Sequence, residues 1–307
     1  MEDAGVGKRD LLVCGPGVLG RLVMAEWKRG YPEARVVGQT ATPRAHEELV
    51  AMGVEPRVTP GADLPLPKDR FPFVLFCAPP SATEDYADEV DRAGKLWDGT
   101  GTFLFTSSTG VYVDTDGEEL DEFGEIKSAK KAEEAGVELP KSTLKLLGAE
   151  SKCLKHGGNV LRLSGLYHSW RGPHTFWMNA GESKTNPNAV VNMIHYEDAA
   201  SLAACILRSD GVEGYYRARE FVGVEDNPVS RKEMMDAVAR CERYGKGCNF
   251  TGDASGSRGK IMRMPNTAAL VGEHWKPKYQ AGFVAFFDSG AEDSFAAAGP
   301  PDVPPTP

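Results

Sequence analysis

Leu11-Leu12-Val13-Cys14-Gly15-Pro16-Gly17-Val18-Leu19-Gly20 sets three glycines in the spacing G-x-G-x-x-G directly behind an apolar run. The next ten residues, RLVMAEWKRG (21–30), are amphipathic. This order predicts a buried strand, a tight turn and a helix start. The three glycines do different things. Gly15 allows the turn, Gly17 lets a pyrophosphate approach bare backbone, and Gly20 lets helix and strand pack closely. The helix opening at Val18 and Leu19 then offers unpaired N–H groups and a partial positive charge to the phosphates. Glycine loops are common, so the spacing alone is weak. The strand before it and the helix after it make the case for dinucleotide binding.

Outward from this turn, apolar runs alternate with helical patterns: EARVVGQT, FPFVLFCAPP, TFLFTSSTGVY and NVLRLSGLY, separated by helices near 19–29, 44–52, 81–95 and 141–156. A short run at 54–58 adds a further strand. Continuous apolar strands separated by helices imply an α/β fold, a Rossmann-type doubly wound parallel sheet covered on both faces. Ligands are then expected at the carboxyl ends of the strands. Residues 113–140 are polar and poorly periodic and read as a long loop with at most one exposed helical turn. Past about 170 the alternation becomes irregular, with helices at 197–208 and 231–243, which fits a small C-terminal α+β lobe. The expected organisation is a nucleotide-binding domain over 1–169, a substrate lobe over 170–288 and a disordered Pro/Ala-rich tail over 289–307.

The 307 residues carry a net charge of −9, which opposes a broad nucleic-acid footprint. Six cysteines include no C-x-x-C pair, and Cys14 and Cys77 sit in apolar runs, so a reducing compartment is the easier fit. The start MEDAGVGKRD lacks the apolar stretch of a signal peptide, and no run approaches the roughly 20 apolar residues of a membrane span. The expectation is a soluble, cytoplasmic protein with a small-molecule substrate. An organelle such as the plastid stays open if a transit peptide has been removed.

Twenty positions past the glycines, where an NAD site carries an acidic residue, the chain reads Gln39-Thr40-Ala41-Thr42-Pro43-Arg44. Thr40 and Thr42 can hydrogen-bond, and Arg44 can pair with a 2′-phosphate. NADP is favoured over NAD as cofactor. His195, Glu197 and Asp198 lie close together, but H-x-E-D does not put two strong metal ligands on one helix face. Acidic residues opening a helix are the better reading, and no metal is expected.

Three further segments carry a resemblance. TSSTGVY (106–112), NVLRLSGLY (159–167) and VNMIHYEDAA (191–200) occur in the order found in extended short-chain dehydrogenases/reductases of the epimerase/dehydratase type. GKIMRMPNTAALVGEHWKPKY (259–279) is similar to the end of that fold, so the resemblance covers about 10–288. It implies that Ser108 is the active-site hydroxyl, that Cys77, Ala78 and Pro79 line the adenine and ribose channel, and that Leu166 meets the nicotinamide. It also implies a homodimer through helices flanking the sheet. Independently, a hydroxyl at a strand's carboxyl end can hydrogen-bond a substrate oxygen. The family's Tyr-x-x-x-Lys is missing. PKSTLKLLGAE (140–150) offers Lys145 with Lys141 four before it, and no tyrosine in either register. A substitute acid is required for hydride transfer, and Tyr112, Lys145 and His168 are the candidates. In HSWRGPHTFW (168–177), Trp170, Arg171 and His174 are candidates for substrate contact, or equally for packing of the lobe. The function expected is oxidoreductase or epimerase-type chemistry on a small polar, phosphorylated or nucleotide-linked substrate. The alternative is a non-catalytic dinucleotide-binding redox sensor or assembly factor.

Overall fold

A computed structural model describes residues 7–298. Seven parallel strands form the central sheet: β1 (Leu11–Cys14), β2 (Val36–Thr40), β3 (Glu55–Val58), β4 (Phe73–Phe76), β5 (Phe103–Ser108), β6 (Asn159–Leu163) and β7 (Glu220–Gly223). Their order is β7-β6-β5-β4-β1-β2-β3. The sequence runs outward in both directions from β1 and β4, so the carboxyl ends of these two strands flank the crevice where the winding reverses. β1, β4 and β6 are buried along their whole length, as parallel strands covered on both faces must be.

Helices α1 (Val18–Gly30), α2 (His46–Ala51), α3 (Tyr86–Gly94), α4 (Ala129–Glu134) and α5 (Lys141–Lys155) fall where the periodicity places them. In α1 the buried stripe is Leu19, Gly20, Val23, Met24 and Trp27, with Lys28 and Arg29 at the carboxyl end of the dipole. α4 is the single exposed turn expected within 113–140.

The second half departs from a clean boundary at 170. Helix α7 (Tyr196–Arg208) returns to pack on α1, and β7 pairs in parallel with β6, Phe221 opposite Leu161. Both belong to the main layer because they are apolar enough to be buried there: Leu202, Ala203, Ile206, Leu207, Phe221 and Val222 are fully buried. What remains forms a second core around Tyr167, Met193, Met234, Val238, Phe283 and Phe287. It is built by α6 (Pro173–Ala180), α8 (Arg231–Arg240), α10 (Gly282–Asp288) and the short strand pair Gly165–Tyr167 with Met193–His195. A further helix, α9 (Pro265–Val271), lies on β7, where Thr267 Oγ1 accepts the Val222 N–H at 2.9 Å.

The tail expected to be disordered from 289 is instead packed as far as Ala298, and residues 299–307 lie outside the described residues. One buried carboxylate explains the difference. Asp293 accepts the Ser169 N–H at 2.7 Å and its hydroxyl at 2.8 Å, and meets His195 Nε2 at 3.1 Å. Phe295 stacks on His168 with ring centroids 4.1 Å apart. Although burial opposes it, the His195 and Ser169 hydrogen bonds hold the Asp293 carboxyl down at about 2.

Glu225 shows the opposite case. Its carboxylate accepts the Phe283 N–H and the Tyr167 hydroxyl, each at 3.0 Å, yet burial outweighs both and raises the group from 4.5 to about 7. A carboxyl whose folded pKa lies above its unfolded one favours folding when protonated. Its contribution is therefore complete below about pH 4.5 and lost as pH rises to about 7. Glu225→Gln keeps the shape and removes the titration. Chemical denaturation of both proteins at pH 5 and pH 8 should show wild type losing on the order of 2 kcal/mol more than the variant over that interval. Equal losses would refute this account.

Candidate functional site

The turn after β1 has the geometry assigned to its glycines. Gly15 has φ +81°, and a Cβ there would stand 2.4 Å from the Ala78 Cα, so only glycine fits. A Cβ at Gly20 would meet Cys77 Sγ at 3.0 Å and Val13 Cγ1 at 3.1 Å, the close helix–strand approach. At Gly17 nothing lies within 4 Å of that position, so the backbone faces open space. Gly17 is the N-cap residue of α1 and has no side chain to bond the first-turn N–H groups, and that turn holds no acidic residue. The positive end of α1 is therefore uncompensated, as an anion site requires.

A cavity of about 310 Å³ opens from this turn. Gly15, Pro16, Gly17, Thr40, Cys77, Ala78 and Pro79 line one side, with Leu66, Phe76 and Leu96 as an apolar wall. Its rim is fixed by Arg92, which donates to the carbonyls of Pro60, Gly61, Ala62 and Leu64. Cys77 donates its thiol to Gly15 O at 3.2 Å, and Cys14 is pushed by burial up to about 12, so both remain thiols that shape the cleft. Size and lining suit a purine against its ribose.

Beside it a basic recess of about 340 Å³ is lined by Arg21, Thr40, Thr42, Arg44 and Glu48. Thr40 and Ala41 border both spaces. Arg44 is exposed on the turn after β2. The Thr40 hydroxyl already contacts Thr42 O and His46 Nε2, each at 2.8 Å. Arg21 was not singled out from the sequence. It pairs with Glu48 at 2.5 Å, while its buried Nε has no partner among the described residues. The signal for it was present: a basic residue directly after the third glycine sits on the first turn of α1.

Ser108 ends β5 at the carboxyl edge of the sheet and is half-buried. Its Oγ accepts the Gly110 N–H at 3.0 Å, which leaves its O–H free to donate to a ligand oxygen. The other expected acids are placed differently. Tyr112 is fully buried; its hydroxyl donates to Glu122 O and accepts from Arg162 Nη1, each at 3.0 Å, and burial raises its pKa. It is a packed structural phenol. His168 is 7% exposed, lies under Phe295 and accepts the Trp170 N–H, and burial lowers it to about 4. It stays neutral at pH 7. Lys145 donates to Thr83 O at 2.8 Å and pairs with Glu84 at 3.2 Å, beside the loop after β4.

The segment after 168 resolves largely into packing. His174 is fully buried against Phe287 at 4.9 Å, and Trp170 packs on Tyr244 at 5.1 Å under the Arg243 guanidinium. Arg171 is exposed and donates to the Tyr196 hydroxyl at 3.1 Å. Leu166 is half-buried in the strand beside Met193–His195. His195 caps α7 by accepting the Glu197 N–H, and Glu197 and Asp198 occupy its first turn. Among the described residues no three His, Cys, Asp or Glu side chains converge as metal ligands, and no helix is long and apolar enough to cross a membrane.

Another cavity, of about 890 Å³, shares no lining residue with the glycine cleft. It lies between residues 119–124, α9 and residues 275–280. Its inner carboxylate Asp198 is already committed, bonding the Lys278 and Tyr279 N–H groups.

No protein-family model and no curated protein matches this chain. Its fold matches many solved structures. A conserved protein of unknown function from Silicibacter pomeroyi is 20% identical, with TM-score 0.67 over 92% of this chain and 99% of that one. UDP-glucuronic acid 4-epimerase from Bacillus cereus, solved with NAD, is 12% identical, with TM-score 0.66 over 92% and 97%. A human epimerase family protein, solved with NADPH, is 12% identical, with TM-score 0.61 over 92% and 99%. At these identities the likeness establishes the Rossmann-type fold.

Proposed function

We propose that this chain is an NADP(H)-binding protein of the extended short-chain dehydrogenase/reductase type, acting as an oxidoreductase or epimerase on a small polar substrate. The observation that carries the reading is the continuity of the open Gly17 turn, the purine-sized cleft and the basic recess of Arg21 and Arg44. The main-chain N–H groups of the turn would hold the pyrophosphate, and the two guanidiniums would hold the 2′-phosphate. The order of sequence motifs and the NAD or NADPH printed for structures of like fold support it. The bound dinucleotide would supply hydride chemistry. Ser108 would donate to the substrate oxygen, and Leu166 would lie against the nicotinamide. Dimerisation and cytoplasmic residence remain part of the proposal.

One observation favours a second reading, in which the dinucleotide is bound without turnover. Tyr112 and His168 are both withdrawn from the cleft, so neither replaces the missing phenol. A single experiment separates the two. Binding of NADPH and NADH is measured for wild type, Arg21→Ala and Arg44→Ala, and NADPH absorbance is followed with a panel of carbonyl compounds and sugar nucleotides. Each arginine variant should lose at least about tenfold for NADPH and little for NADH, since one charge-assisted bond is worth roughly 1.5–3 kcal/mol. Turnover that disappears in Ser108→Ala supports the enzyme. Tight NADPH binding with no oxidation across the panel supports the sensor. Equal affinity for NADPH and NADH in all three proteins would remove the case for NADP.

A further inference from the structure

Two lysines that have no carboxylate partner among the described residues reach the turn that follows Ser108. Lys127 Nζ donates to Gly110 O at 2.8 Å, and Lys260 Nζ donates to Tyr112 O at 3.3 Å. Gly110 is the residue whose N–H the Ser108 hydroxyl accepts, so the ammonium groups and that hydroxyl share one turn at the carboxyl end of β5. Among the described residues neither lysine has a carboxylate oxygen within 4.0 Å. Lys131, on the following helix, is paired, meeting Glu125 at 2.7 Å. Asp114 is the carboxylate that acts across this turn on Lys260, and both its oxygens already accept the Ser257 hydroxyl at 2.9 Å. Lys260 is half-buried, and burial first and Lys127 second lower its pKa.

Two ammonium groups brought to one turn repel each other, and an anion between them would relieve that repulsion. In a chain of net charge −9, carboxylates for the purpose are plentiful, yet the one that acts here, Asp114, is bonded to Ser257 and lies beyond ion-pair distance of both lysines. Each ammonium has three donors and has used one on a carbonyl, so two remain on each for a ligand. We propose that Lys127 and Lys260 bind an oxyanion of the substrate, a phosphate or a carboxylate carried close to the oxygen that Ser108 orients. This assignment rests on the proposed role of Ser108 as the hydroxyl that orients the substrate, and it narrows that substrate to an acid. It also gives the turn after Ser108 a reason to carry two cations in place of a neutral sugar-binding surface.

The test is calorimetric titration of the full chain with inorganic phosphate and, separately, with succinate. Wild type, Lys127→Gln, Lys260→Gln, Lys127→Arg and Gly17→Glu are compared, with NADPH affinity and thermal midpoint measured on the same preparations. Wild type should bind at least one of the anions, and each glutamine variant should bind it at least tenfold more weakly. Lys127→Arg keeps the charge and should keep binding, whereas Gly17→Glu should remove any phosphate held at the pyrophosphate turn and leave the lysine-dependent part. The glutamine variants should melt at or above the wild-type midpoint, because a repulsion has been removed. Phosphate alone assigns a phosphorylated substrate, and succinate alone a carboxylic acid. No binding of either anion, or unchanged affinity in both glutamine variants, overturns the proposal. If NADPH fails to bind wild type while the lysine-dependent anion site persists, the dinucleotide reading falls and this one stands.

Discussion

Gly17→Glu should weaken NADPH binding at least about 100-fold, about 2.7 kcal/mol, while the protein melts as wild type does. The two halves of this expectation rest on separate observations. The Gly17 backbone is extended, with φ −74°, so any L-residue adopts it without strain. Nothing lies within 4 Å of a Cβ there, so no neighbour must move. The carboxylate would enter the space where the α1 amides point, and an acidic side chain at a helix N-terminus is favourable for folding. The same carboxylate would occupy and repel the pyrophosphate. Gly15→Ala makes the contrast, because its methyl would stand 2.4 Å from the Ala78 backbone and the damage would be to folding. Titration calorimetry and a thermal melt on the Gly17→Glu protein decide the matter. Unchanged NADPH affinity would remove the premise on which the cofactor site is built.

The parts of this site that were legible in the sequence are those specified by neighbours in the chain. The three glycines, β1 and α1 lie within 20 residues of one another, and the buried run and amphipathic helix that frame them are local signals. Arg44 is local in the same way, standing on the turn after β2 where it lines the basic recess. Arg21 is equally local, but one arginine among the polar positions of an amphipathic helix reads as an ordinary solvated charge. What escaped altogether are pairings across the sheet or between layers. Nothing in TSSTGVY says that the Tyr112 hydroxyl will be met by Arg162, 50 residues later. Nothing in an Ala- and Pro-rich tail says that Asp293 will cap Ser169 and meet His195 inside the lobe. Composition averages over a segment, and one buried carboxylate can order it. The return of α7 and β7 to the main sheet had a local signal in their apolar runs. The irregular alternation around them hid it.

The pairing that holds Tyr112 in the core also supplies the largest expected stability effect. Arg162 is 2% exposed on β6 and binds Glu150 of α5 in a fork, Nε to Oε1 at 3.1 Å and Nη2 to Oε2 at 2.9 Å. Its Nη2 also reaches Glu220 at 2.5 Å and its Nη1 the Tyr112 hydroxyl at 3.0 Å, while Ser107 donates to Glu150 at 2.5 Å. These partners tie α5, β5, β6 and β7 together directly beneath Ser108. Glu150→Ala would leave a buried guanidinium with Glu220, which is 42% exposed, as its remaining carboxylate. Breaking a buried pair from one side costs roughly 3–5 kcal/mol, and the Glu220 contact places this case toward the lower end. That amounts to a fall in thermal midpoint on the order of 10 °C for a chain of this size. Glu150→Leu combined with Arg162→Met removes both charges and fills similar volume, so it should regain most of the loss. Tyr112 would keep its bond to Glu122 O in that double variant and stay buried. Denaturant melts of the three proteins test the argument. A loss below about 1 kcal/mol for Glu150→Ala would show that the fork is not what holds these four elements together.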